Sequence, residues 1–377
     1  MKKSYTFYII FILTCFSLIT CFSPLDHNGK GNAKLSLTLP GFSQGPMRST
    51  SAGEKPTAFV LSHEVTFIGP DGQIITVTAS HGETITESVV PGIWRIVVES
   101  TLSERVGILS AGTNVAIGTN DIVARGGQNN SVEIRLYITH FDFIQPFLAS
   151  QSGGNEYNPV NLRLAMPLDN YNWRAIITGL QQDKFVSLDL SLCTRSTGLA
   201  DTGIGLRSDG TFAPADEFSP GSPGEANVVS ITLPEAATSI AAGTTTGATF
   251  RHFKSLKRVY TGNGIRTIGS AAFKDIATLE YVILGSSVTT IGDNAFENNS
   301  LASITIPNSV TTIRMGAFRS NNLLNTVTFQ GNNTLFENSS FDNGNSLKSA
   351  YERPSPHGGA GTYTLAPGDT TWEKRRF

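Results

Sequence analysis

The stretch Val288-Thr-Thr-Ile291-Gly292-Asp-Asn-Ala295-Phe296, continued by Leu301-Ala-Ser-Ile304-Thr-Ile306-Pro-Asn-Ser-Val310-Thr-Thr-Ile313, reads as one structural unit and the beginning of its copy. Working outward from it, leucines recur at Leu256, Leu279, Leu301, Leu324 and Leu347, with spacings of 23, 22, 23 and 23. Phenylalanines keep step at Phe250, Phe273, Phe296, Phe318 and Phe341, with spacings of 23, 23, 22 and 23. Ile268, Ile291 and Ile313 precede three of these phenylalanines, and Phe336 takes that slot in the next unit. Three sets of apolar positions on one period predict a solenoid, because no single unit can bury its apolar face and neighbours must stack. Leu-x-x-Val/Ile-x-Leu/Ile supplies a strand of a parallel sheet, Val/Ile-x-x-Ile-Gly turns the chain, and Ala-Phe fills the far side of the core. Gly269 and Gly292 follow the isoleucine at the turn, where the third unit has Arg314.

Strand side chains alternate between faces, so the residues flanking each inward Val or Ile point outward. Those residues are Arg258 and Tyr260, Tyr281 and Ile283, Ser303 and Thr305, and Thr326 and Thr328. Stacking predicts two adjacent columns on one sheet face. Arg258, Tyr260, Tyr281 and Ile283 cluster at one end, and these residue types are common anchors of protein interfaces. The same residues also suit a plain covering of the sheet.

Upstream, period two dominates residues 34–138. Leu35, Leu37 and Leu39 alternate with Ser36 and Thr38, while Trp94, Ile96 and Val98 share a face. Short alternating runs between turns such as Pro70-Asp71-Gly72 predict an antiparallel β-sandwich. Its Pro91-Gly92-Ile93-Trp94 segment resembles a strand of immunoglobulin-like or transthyretin-like modules, with Trp94 as a core anchor. Residues 139–158, with the polar run Gln151 to Asn155, read as a linker. Residues 159–227 read as an N-terminal cap of the solenoid. That cap has a strand at Val160 to Met166, an amphipathic helix from the Trp173, Ile176, Ile177, Leu180 stripe, and a strand at Phe185 to Ser191. A Gly/Pro/Ser/Asp-rich insertion occupies 194–226, the repeats 228–350, and a C-terminal strand cap 351–377. The expected fold class is therefore mainly β: a sandwich followed by a short leucine-rich-repeat solenoid.

The first 20 residues read as a signal peptide, with Lys2 and Lys3 before the apolar run Tyr5 to Ile19. That run is shorter than the roughly 20 residues of a comfortable membrane span. The following Leu18-Ile19-Thr20-Cys21 resembles a bacterial lipobox, which implies lipidation of Cys21 and a tether over 21–33. Thr20 departs from the smaller residue usual before that cysteine. Cleavage there lowers the formal net charge of −2 by two, since Lys2 and Lys3 are lost and no acid is. With only 15% charged residues and no basic excess, the chain has no field to attract nucleic acid. Of the three cysteines, Cys15, Cys21 and Cys193, only the last two would survive cleavage, so a lipidated Cys21 leaves no intramolecular disulfide.

No catalytic constellation emerges. Gly41-Phe42-Ser43-Gln44-Gly45 matches a nucleophile-elbow pattern, but Pro46 and a Ser/Gly-rich stretch follow where that motif needs a helix. His27, His63, His81, His140, His252 and His357 are scattered without metal-ligand spacing, and His63 and His81 read as solvated strand or turn residues. Asp201, Asp209, Asp216 and Glu217 in the insertion do not space as an EF-hand loop. No enzyme activity, metal or cofactor is expected.

The repeat units resemble the BspA-type leucine-rich repeat of surface proteins from spirochaetes and oral anaerobes, most closely over residues 228–350. Val186 to Cys193 and Tyr363 to Trp372 also resemble the flanks of treponemal members. The resemblance implies a mainly β solenoid at the cell surface or outer membrane. It also implies adhesion to host extracellular-matrix proteins or bacterial surface proteins. A structural envelope component that self-associates, with no host ligand, is the alternative.

Overall fold

The computed structural model describes residues 33–39, 60–80, 83–151, 154–180, 184–195, 203–215, 225–243, 247–342, 344–354 and 357–375. The signal peptide, Cys21, the Gly41 to Gly45 motif, His27, His81, Asp201, Asp216 and Glu217 lie outside these residues.

Strands β1 (Ala33–Thr38), β2 (Leu61–Ile68), β3 (Ile74–Ser80), β4 (Thr84–Val89), β5 (Gly92–Leu102), β6 (Asn114–Ala124), β7 (Asn129–Val132) and β8 (Tyr137–Ile138) form two sheets. Their orders are β4-β1-β7 and β3-β2-β5-β6-β8. Alternation puts Leu35 and Leu37 from one sheet against Val65, Phe67, Trp94, Ile96 and Val98 from the other, in one buried core. Trp94 is fully buried, and its indole N–H donates to Val90 O (2.9 Å). His63 is a correction: it is buried, with Nδ1 2.8 Å from Ser100 Oγ. The reason is parity, since His63 shares the inward face of β2 with Leu61, Val65 and Phe67.

Residues 139–158 differ from the linker expected there. They hold helix α1 (Ile144–Ser150), whose Ile144, Phe147 and Leu148 are buried. Together with Phe143 they join the core of the array, as do Leu61, Leu102, Val115 and Ile138 at the near end of the sandwich. Ala165 N–H donates to Ile138 O (2.9 Å), so the β8 backbone leads directly into the array. The apolar residues recur at helical spacing from Phe143 to Leu148, a stripe that the polar run behind it obscures.

The array begins with β9 (Val160–Arg163), α2 (Asn170–Gly179) and β10 (Val186–Asp189). Asp169 caps α2 by accepting the Asn172 N–H (2.7 Å), and Trp173, Ile176 and Ile177 face inward. Described parts of the 194–226 insertion form β11 (Gly205–Leu206) and β12 (Thr211–Ala213). Each later coil adds one strand to the face and one to the back. These are β13 (Val228–Thr232) and β14 (Ser239–Ile240), then β15 (Arg258–Tyr260) and β16 (Thr267–Ile268), then β17 (Tyr281–Ile283) and β18 (Thr290–Ile291). The last coils add β19 (Ser303–Ile306), β20 (Thr312–Ile313), β21 (Thr326–Phe329) and β22 (Leu335–Phe336). Helix α3 (Gly344–Tyr351) and strands β23 (Gly361–Thr364) and β24 (Glu373–Lys374) follow.

The back is one ladder, β11-β12-β14-β16-β18-β20-β22. The face is two sheets, β17-β15-β13-β10-β9 and β19-β21-β23-β24. The seam between β17 and β19 falls where the corner from Phe296 to Leu301 is one residue shorter than the corner from Phe273 to Leu279.

Between face and back runs a phenylalanine column. Phe250 stacks on Phe273 (centroids 4.3 Å), Phe273 on Phe296 (5.2 Å), Phe296 on Phe318 (5.3 Å) and Phe318 on Phe341 (4.9 Å). Near-parallel offset rings add to their burial energy. The corners bury backbone, and asparagine side chains satisfy it. Asn299 Oδ1 accepts the Ile276 N–H (2.9 Å), and Asn321 Nδ2 donates to Phe296 O (2.8 Å) and Phe318 O (2.9 Å). Gly285 is required by close approach: a Cβ there would lie 1.6 Å from Gly262 O of the preceding coil. Glu297, almost buried, ties three coils together through Lys274 (2.8 Å) and Arg319.

Candidate functional site

Register across the first face sheet sets the site. Asn161, Ser187, Ser230, Arg258 and Tyr281 align in one column. Arg163, Asp189, Thr232, Tyr260 and Ile283 align in the next. Each pair flanks an inward Leu162, Leu188, Ile231, Val259 or Val282, all buried, so the outward direction follows from strand alternation. Arg258, Tyr260, Tyr281 and Ile283 are therefore brought together as expected. Tyr281 and Ile283 are each 44% exposed, a large uncovered apolar area for neighbouring strand positions.

Ser303, Thr305, Thr326 and Thr328 lie on the other sheet, across the seam, so the two columns do not run continuously. Ser303 pairs with Thr326 and Thr305 with Thr328. β23 then closes that sheet, with Thr328 Oγ1 2.9 Å from Thr362 Oγ1. A surface of short Ser and Thr side chains offers few anchoring groups.

The first face also extends beyond the residues expected from the repeats. Arg135, between β7 and β8 of the sandwich, joins Asn161, Arg163, Asp189, Arg258 and Tyr260 around a groove of about 430 Å³. Short side chains at Ser187, Ser230 and Thr232 form its floor. Asp189 Oδ1 accepts the Ser191 N–H (2.9 Å), and Tyr137 Oη donates to Asp189 Oδ2 (3.4 Å). Burial pushes the Tyr137 hydroxyl above its ordinary range, and the Asp189 charge adds to that, so it remains a donor at neutral pH. At the rim, Lys257 pairs with Glu156 (2.6 Å) and lies 5.6 Å from the Tyr157 ring centroid. The Glu156 carboxylate raises the Lys257 pKa and keeps it charged.

The cap residues in this groove escaped the sequence reading because their strands lie outside the regular period. The signal was present in Val160-Asn-Leu-Arg163 and Val186-Ser-Leu-Asp189, which repeat the alternation of the array strands. Among the described residues no group of His, Cys, Asp and Glu could hold a metal ion. Cys193 is wholly buried and burial pushes its thiol up to about 12, which makes it a core filler and not a nucleophile.

A mainly β repeat solenoid with an exposed strand face is the class these features define. Residues 244–352 match the BspA type leucine rich repeat region in 6 copies. Among solved structures, a leucine-rich repeat protein from Bacteroides ovatus is similar at 23% identity and a TM-score of 0.25, over 30% of this chain and 27% of that one. A leucine rich cell surface protein from Faecalibacterium prausnitzii is similar at 16% identity and a TM-score of 0.25, over 64% of this chain and 57% of that one. The chain thus spans about a quarter and rather more than half of these two structures. No curated protein matches it.

Proposed function

We propose that this is an exported surface protein that binds a protein ligand through the first face sheet, without cofactor or catalysis. The observation that carries the reading is the in-register cluster of Arg258, Tyr260, Tyr281 and Ile283 beside a groove. Arginine and tyrosine are over-represented among the residues that dominate binding energy. The ligand class is a host extracellular-matrix protein or a bacterial surface protein, as the BspA-type repeats suggest. Export rests on Lys2, Lys3 and the apolar run behind them, and a lipid on Cys21 would hold the protein at the membrane without a span. No helix among the described residues is long and apolar enough to cross a membrane.

The test is solid-phase binding of residues 22–377 to fibronectin, fibrinogen, laminin and collagen. Tyr260→Ala with Tyr281→Ala should weaken saturable binding by about 30-fold, the loss expected of a truncated interface anchor. Unchanged binding by the folded double variant would remove this face from the function. Self-association at micromolar concentration with no binding to the panel would replace adhesion by an envelope role.

A further inference from the structure

We propose that the groove between the sandwich and the array recognises an acidic, extended peptide segment. The inference rests on the binding reading above and names the chemistry of its ligand.

Three guanidinium groups, Arg135, Arg163 and Arg258, line the groove, and among the described residues Asp189 is its only carboxylate. Asp189 already accepts from Ser191 N–H and Tyr137 Oη, so it is committed to the protein's own donors. None of the three arginines is in an ion pair or side-chain hydrogen bond among the described residues, whereas several arginines elsewhere are tied down. Arg95 pairs with Asp121 (2.8 Å), Arg319 with Glu297, and Arg195 and Arg207 donate to the carbonyls of Ala236 and Gly203 (both 2.8 Å). The groove therefore carries a local positive excess in a chain whose formal net charge is −2. Guanidinium forks bind carboxylates in pairs of parallel hydrogen bonds.

Geometry favours a peptide. Arg163 and Arg258 stand on β9 and β15, three strand steps apart and two residues apart along the strands, which is roughly 16 Å at the usual spacings. An extended chain covers about that distance in five residues, and the long arginine side chains bring acids at positions i and i+4 within reach of both. The short floor of Ser187, Ser230 and Thr232 leaves room for its backbone and offers hydroxyls to it. Beyond Arg258 the face turns to Tyr281 and Ile283, which suit apolar side chains of the same segment. A sulfated polysaccharide would need the basic track to continue, and past the seam it meets Ser303 and Thr305 instead.

The experiment uses the full chain and a fluorescent peptide of about nine residues, long enough to cover that span, in which glutamate alternates with leucine. Controls carry glutamine or lysine in place of glutamate, and a heparin oligosaccharide is the third probe. Anisotropy should show saturable binding of the glutamate peptide that weakens with salt. Arg163→Ala and Arg258→Ala should each weaken it about tenfold, the usual scale for one charge-assisted contact. Asp189→Asn should tighten it several-fold. Equal binding of the glutamine or lysine peptide overturns the proposal, as does unchanged affinity in arginine variants that melt like the parent. Arginine-dependent heparin binding without peptide binding also overturns it. The Tyr260 and Tyr281 test uses whole proteins as ligands and leaves the three arginines in place, so its success beside a failure here would sink the acidic-peptide inference alone.

Discussion

Each coil of the array crosses two surfaces, and these respond differently to one short corner. The back ladder passes from β18 to β20 with Thr290 opposite Thr312 and Ile291 opposite Ile313. The face parts at the same coil, and β17 and β19 sit side by side in separate sheets. The core beneath does not register the break: Phe296 is 5.2 Å from Phe273 on one side and 5.3 Å from Phe318 on the other. A stack of rings tolerates a small slide because dispersion is non-directional, whereas a strand ladder needs its N–H and C=O groups in register. The seam also divides chemistry, with arginine, tyrosine and isoleucine on one side and serine and threonine on the other.

Breaking the core at the seam should have the largest effect. Phe296→Ala removes the ring that bridges the two halves and should cost about 3–5 kcal/mol, read from urea unfolding. A loss below about 1 kcal/mol would mean that the column is not what joins the halves.

The corner beside the seam offers a second lever. Burial alone would raise the Glu297 pKa, but hydrogen bonds from Lys274 and Arg319 outweigh it and hold the carboxyl below its ordinary value. Its stabilisation is therefore full above about pH 5, beyond the ordinary carboxyl value, and is lost as the pH falls through the depressed value. Glu297→Gln should cost about 2 kcal/mol at neutral pH and remove that share of the acid sensitivity. A variant as acid-sensitive as the parent would show that the three-coil tie contributes nothing. The smallest effect belongs to the far face, where Ser303→Ala with Thr305→Ala should change ligand affinity by less than about 0.5 kcal/mol. A loss matching that of the tyrosine pair would show that the two sheets act as one surface.

The period of 22 or 23 residues made the coil, its strand and its phenylalanine legible from the sequence, because stacked units must repeat the apolar positions they share. The outward direction of Arg258, Tyr260, Tyr281 and Ile283 followed from alternation alone. Three things waited for the tertiary structure. Alignment of Arg163 and Asp189 with the repeat strands depends on pairing between segments that share no period. The approach of Arg135 depends on the sandwich packing directly onto the array through Ile138 and α1. The seam depends on whether one missing corner residue is absorbed in the turn or in the ladder. Local sequence carries propensity and periodicity, which decide what each segment becomes. Which segments end as neighbours is decided by long-range burial and backbone hydrogen bonding, and the groove exists only at that level.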